Sequence, residues 1–196
     1  AGWGQIMALC ADDLMQQGRL RGNLLVATVM SNMGLKAALK SIGVAVAESQ
    51  VGDRYVIEKM DETGAVLGGE QSGHIIFKQY NTTGDGIMSS MKLLEIVKKS
   101  QSTLKELAAF MDKYPQVLIN VPVERKQGWQ QEAAITEAIE QAQAQLGEAG
   151  RILVRASGTE NLLRVMVEGQ QEAEIALIAQ QVAQVVDQTL GKGAQS

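Results

Sequence analysis

Leu24-Leu25-Val26-Ala27-Thr28-Val29-Met30, then Met33 to Ile42, then Gly43 and Val44-Ala45-Val46-Ala47, is the stretch that decides the fold. The first run is apolar almost throughout, the pattern of a strand buried on both faces. The second has helical spacing and stops at a glycine. The third is another short apolar strand. Strand, helix, strand at this spacing is a βαβ unit with a parallel pair.

Working outward, Gln5-Ile6-Met7-Ala8-Leu9-Cys10 enters an amphipathic helix with Ile6, Leu9, Cys10 and Leu14 on one face. Gly18 and Gly22 bracket the turn that follows. Downstream, Gly52-Asp53-Arg54 leads into a helix carrying Val56, Ile57 and Met60, closed by Gly64. Val66-Leu67 and Ile75-Ile76-Phe77 read as short strands on either side of Gly68-Gly69-Glu70-Gln71-Ser72-Gly73-His74. Asp85 is placed to cap a helix from Gly86 to about Lys99. Thr103 and Glu106 form a capping-box signature for another helix, ended by Pro115. A second block follows: a strand over Val117 to Val123, a helix over Gln130 to Leu146, strands at Ile152-Leu153-Val154 and Leu163-Arg164-Val165-Met166-Val167, and a last helix from about Glu172 to Leu190. The expected architecture is a three-layer α/β domain with a mixed, partly parallel sheet over residues 1–116. A smaller α+β domain of order β-α-β-β-α follows over 117–196.

Composition narrows the classes. Hydrophobic residues make up 45% of the 196 but aromatics only 4%, so the core rests on aliphatic side chains and Met. A formal charge of -4 argues against nucleic acid, which needs a basic face. No apolar run approaches the length of a membrane span, and no basic-then-apolar leader opens the chain. Cys10 is the single cysteine and cannot form an internal disulfide, which points to a reducing compartment. A soluble, cytoplasmic chain is expected.

The richest chemistry lies in Arg155-Ala156-Ser157-Gly158-Thr159-Glu160-Asn161 with Arg164. Two guanidinium forks match phosphate oxygens in pairs, and amides near a glycine can line an anion cradle. An ordinary hairpin would also favour Ser-Gly-Thr in its turn, but it has no need of two arginines at its mouth. A second candidate is Gly69-Glu70-Gln71-Ser72-Gly73-His74, which holds the only histidine. A polar, glycine-flanked loop suits hydroxyl recognition, and such sites discriminate strongly between sugars; an incidental histidine in a turn is the plainer alternative. Gly52-Asp53-Arg54-Tyr55 follows a strand at the edge where α/β sheets bind ligands, or else simply starts a helix. Ser31 and Asn32 either line the same crevice or cap the helix after them. Asp85, in Asn81-Thr82-Thr83-Gly84-Asp85-Gly86, is a lone carboxylate and a poor Mg²⁺ site. Neither Ser157 nor Ser72 has a base beside it in sequence, Cys10 reads as core, and no His/Cys/Asp/Glu group has metal-ligand spacing.

Taken together, Gly69 to His74, Arg155 to Glu160, and Arg164-Val165-Met166-Val167-Glu168-Gly169 resemble the α-D-phosphohexomutase superfamily. Val29 to Gly34, Val51 to Val56 and Thr82 to Ile87 extend the resemblance over nearly the whole chain. It implies the third and fourth of four domains, with the phosphate-donating serine and the Asp-rich Mg²⁺ loop on the two domains before them. No metal is then expected on this chain. Glu70, Gln71, Ser72, Gly73 and His74 would bind sugar hydroxyls. Arg155, Ser157, Gly158, Thr159 and Arg164 would hold the non-reacting phosphate, and Asp53, Arg54 and His74 would line the reacting end. Within the superfamily the chain is most similar to the bacterial branch that interconverts glucosamine 6-phosphate and glucosamine 1-phosphate through a bisphosphate, feeding cell-wall precursors. Gln71 and the Gly52 to Tyr55 run favour that amino sugar over mannose or glucose phosphates. A sugar-phosphate-binding module without the earlier domains is the alternative outside enzymes. The implied partners are a phosphorylated hexosamine and the earlier domains, in a monomer or a homodimer. Asn161 stands where the superfamily usually has proline, a change that loosens the loop but removes no ligand.

Overall fold

The structure, a computed structural model, describes residues 2–191. Contacts divide the chain between Lys113 and Tyr114 into two compact units.

In the first unit a four-stranded sheet has the order β2-β1-β3-β4, built from Leu24–Thr28 (β1), Ala45–Ser49 (β2), Leu67–Gly69 (β3) and Ile75–Phe77 (β4). β1 runs parallel to both β2 and β3, while β4 is antiparallel to β3. The alternation of side chains along β1 explains its nearly unbroken apolar run. Leu25 and Ala27 join a core with Trp3–Gln16 (α1), Met33–Ser41 (α2), Gly86–Ser100 (α4) and Leu104–Ala108 (α5). Val26 turns the other way, onto Val56 and Met60 of Asp53–Thr63 (α3). The unit is thus three-layered, as expected. Asp85 caps α4 by accepting from the amides of Ile87 and Met88, and Thr103 closes its capping box with Glu106. Gly64 ends α3 in the left-handed conformation, at φ 71°. Cys10 is buried on α1, and burial pushes its thiol up to about 12.

The second unit is a three-stranded antiparallel sheet of order β5-β7-β6, from Gln116–Pro122 (β5), Gly150–Ala156 (β6) and Leu162–Gly169 (β7). Ala133–Leu146 (α6) and Glu172–Leu190 (α7) cover one face. Leu163, Val165 and Val167 face these helices, so Arg164, Met166 and Glu168 face away. The β-α-β-β-α order is as expected. One boundary differs. A helix from Gln130 gives way to a 3₁₀ turn at Trp129–Gln131 and a break at Glu132, whose extended backbone (φ -77°, ψ 105°) starts α6 at Ala133. Glutamine has good helix propensity, but Glu132 is drawn out of the helix to pair with Arg125. Among the described residues no helix is long and apolar enough to cross a membrane.

Candidate functional site

The strand order places a topological switch in the first unit. The chain leaves β1 for β2 on one side, then crosses through α3 to β3 on the other. Loops at the carboxyl ends of these strands therefore meet, the usual place for a ligand in an open α/β sheet. Here the loops are tied together. The Gly52 amide, after β2, donates to Glu70 Oε1 after β3 at 2.6 Å. Ser72 Oγ donates to Glu70 Oε2 at 3.1 Å. His74 Nδ1 lies 3.1 Å from Asp53 Oδ1. Gly73 holds φ at 109°, and a Cβ there would sit 2.8 Å from the Trp3 ring, so the turn admits only glycine. The Asn81 to Gly86 loop supports His74 from behind; a Cβ on Gly84 would lie 2.8 Å from His74 Cβ. Beside this turn a cleft of about 360 Å³ is lined by Trp3, Gln5, Asn32, Gln71 and Met111 among others.

The structure also settles the local roles of three residues singled out in the sequence. Asn32 accepts from the Gly34 amide at 3.0 Å and so caps α2. Arg54 turns to solvent and donates to Glu58 one helical turn on, which holds its pKa above the usual value. It does not join the cluster around Glu70. Asp53 is the first residue of α3 and reaches His74 rather than capping its own helix. Trp3 carried no signal in the sequence, because its role depends on α1 passing beside the Gly73 turn.

Spacing along the chain gave no metal-ligand group, yet the fold brings one atom each of Asp53, Glu70 and His74 within 4.8 Å of one another. The donor set suits Mg²⁺ poorly. That ion prefers oxygen ligands in an octahedron, and an imidazole here would replace one of them. Both Glu70 oxygens and His74 Nδ1 are already engaged in hydrogen bonds. The cluster reads as a hydrogen-bonded polar surface rather than a Mg²⁺ centre.

In the second unit the hairpin between β6 and β7 holds the arginine pair. Arg155 and Arg164 are direct partners in the antiparallel register, with Asn120 of β5 next to Arg164 in the same row. Directly paired residues share a face, so both guanidinium groups leave the sheet on the side away from the helices. Like charges in this position are unfavourable by themselves. Glu160 reaches Arg164 only at 3.9 Å. Arg164 Nε is buried and has no hydrogen-bond partner among the described residues, a state that calls for an acceptor. Ser157 is buried, and its Oγ accepts from the Glu160 amide at 3.3 Å. Its own amide closes the loop onto the Leu162 carbonyl at 3.0 Å. A Cβ on Gly158 would meet nothing within 4 Å, so the loop crest is open. Lys126, which the sequence did not single out, sends its ammonium into this loop at Ser157 O (2.7 Å), Glu160 O (3.1 Å) and Gly158 O (3.2 Å).

An open α/β sheet with polar loops at its switch point, followed by a small antiparallel module bearing a directly opposed arginine pair, defines the class: an α/β domain and an α+β domain in succession. The comparisons agree on the family. Residues 4–114 match the model of the phosphoglucomutase/phosphomannomutase α/β/α domain III, and residues 118–185 match that family's C-terminal domain. The chain belongs to the phosphoglucomutase/phosphomannomutase family. It is similar to the phosphoglucosamine mutases of Syntrophotalea carbinolica (51% identical, 95% of this chain, 41% of that protein) and Desulforamulus reducens (53%, 93% and 41%). It spans about two fifths of their length, matching their C-terminal part. In fold it is similar to the crystal structure of Aspergillus fumigatus N-acetylphosphoglucosamine mutase in complex with GlcNAc-6P and magnesium. The TM-score is 0.79 at 21% identity, over 94% of this chain and 46% of that one.

Proposed function

We propose that this chain is the C-terminal portion of a phosphoglucosamine mutase, which interconverts glucosamine 6-phosphate and glucosamine 1-phosphate through a phosphoserine enzyme and a bisphosphate. The observation that carries the reading is the Arg155–Arg164 pair with its orphaned Nε, on a chain about half identical to proteins of that name. In this reading the β6–β7 loop holds the phosphate that does not react. Glu70, Gln71, Ser72 and His74 read the sugar hydroxyls, with Asp53 setting the His74 ring. Tethering through Gly52 and Glu70 keeps the loop fixed before the sugar arrives, which lowers the ordering cost of binding.

The nucleophilic serine and the Mg²⁺ site would lie on preceding domains, where Mg²⁺ supplies charge neutralisation at the reacting phosphate. The enzyme would work in the cytoplasm. The test is turnover by the complete protein on a panel of glucosamine, N-acetylglucosamine, glucose and mannose phosphates. Preference for glucosamine phosphates, and none measurable for the 196-residue chain alone, is expected. A clear preference for mannose or glucose phosphates overturns the sugar assignment.

A further inference from the structure

Lys126 leaves β5 just past its end, and its ammonium is committed entirely to the β6–β7 loop. An ammonium has three donors, and here each finds a backbone carbonyl: Ser157, Gly158 and Glu160. None is left over for a ligand. The peptide group makes this geometry consequential. In a planar trans peptide the C=O and the following N–H point in opposite directions, and no peptide bond among the described residues is cis. The Ser157 carbonyl shares its plane with the Gly158 amide, and the Gly158 carbonyl with the Thr159 amide. Holding the two carbonyls at one cation therefore turns two consecutive amides to the opposite side. Neither amide makes a hydrogen bond within the described residues. Successive free amides of this kind form an anion nest, and the open space over Gly158 leaves room for one.

We propose that Lys126 is the positioning residue of the anion loop. It draws the carbonyl oxygens of Ser157 and Gly158 away from the ligand and so presents the Gly158 and Thr159 amides to a phosphate. The inference rests on the anchor reading above and adds what shapes the anchor. A charge acting only through its field needs no geometry, and arginine would serve as well. A brace does need it: a tetrahedral ammonium can gather three converging carbonyls, whereas a guanidinium is a flat fork.

The test is a titration of inorganic phosphate into the 196-residue chain, followed by the ¹H–¹⁵N signals of Gly158 and Thr159. In the unaltered chain both signals are expected to shift. Lys126→Met should weaken phosphate at least tenfold and abolish those shifts, and Lys126→Arg should fail to restore them. Arg155→Met serves as the control for the anchor itself. Affinity of Lys126→Met within twofold of the unaltered chain overturns the proposal, as does full recovery in Lys126→Arg. Should Lys126→Met not fold, Lys126→Arg decides by the same criterion. If Arg155→Met loses binding while the Lys126 variants keep it, the anchor stands and the brace falls. If the unaltered chain ignores phosphate, both fall.

Discussion

Replacing Arg155 by methionine separates a binding role from a structural one, because the two roles move stability in opposite directions. Methionine keeps an apolar stem on the sheet and removes only the guanidinium. Arg155 stands directly across from Arg164 in the register. Opposed Cβ atoms in such pairs lie about 5 Å apart. Two unit charges at about 6 Å repel by about 0.7 kcal/mol in a water-like dielectric. Arg155 is exposed, and Glu160 near Arg164 already offsets part of this repulsion, so 0.7 kcal/mol is a ceiling. Arg155→Met should therefore leave the second unit as stable as before or more stable by up to about 0.7 kcal/mol. Loss of a charged hydrogen-bonding partner for a phosphate costs about 1.5–3 kcal/mol, a drop in affinity of about 10- to 150-fold. Urea denaturation of the chain gives the first number, and calorimetric titration with glucosamine 6-phosphate gives the second. A variant that loses stability while binding the ligand unchanged refutes the reasoning, since the guanidinium would then be part of the hairpin's scaffold.

Other consequences follow from particular contacts. Glu168 is fully buried and receives both Arg151 Nε and a terminal guanidinium nitrogen across the β6–β7 ladder; Glu168→Ala takes this buried carboxylate away from Arg151 and should cost about 3–5 kcal/mol in urea denaturation. Gly73→Ala must fit a Cβ against Trp3 at a positive φ, so the first unit should lose about 1–3 kcal/mol, read as a lower melting temperature. The Cys10 thiol, raised by burial from 9.0 to about 12, should resist thiol reagents at pH 8 until the first unit unfolds. Its linkage has a definite sign: between about pH 9 and 12 the unfolded chain releases this proton and the folded one keeps it, so stability is full below that window and falls across it. Cys10→Ala should flatten that part of the stability-against-pH curve.

Much of the fold was legible because its signals are local. The unbroken apolar run of β1 announced burial on both faces, and Leu25 and Val26 indeed point into different cores. Asp85 and Thr103 are caps whose partners lie within a few residues. The break at Glu132 was hidden, since its cause is a cation some residues upstream rather than any helix breaker. The candidate site was legible in its residue types but not in its arrangement. That Arg155 opposes Arg164 is a matter of hairpin register. That Glu70 grips Gly52, or that His74 meets Asp53, depends on β3 lying on the far side of β1 from β2. Lys126 looked like one more surface cation in a polar segment, and only the folded loop reveals what it gathers.

One signal reports on the heart of the matter: the side-chain Nε–H resonance of Arg164 in the ¹⁵N-labelled chain, observed while a phosphorylated hexosamine is added. Its nitrogen is buried and without an acceptor among the described residues. Saturable movement of this resonance with glucosamine 6-phosphate, and none with unphosphorylated glucosamine, is the outcome the site demands. A resonance that stays fixed at saturating sugar phosphate would mean that the hairpin does not hold the dianion.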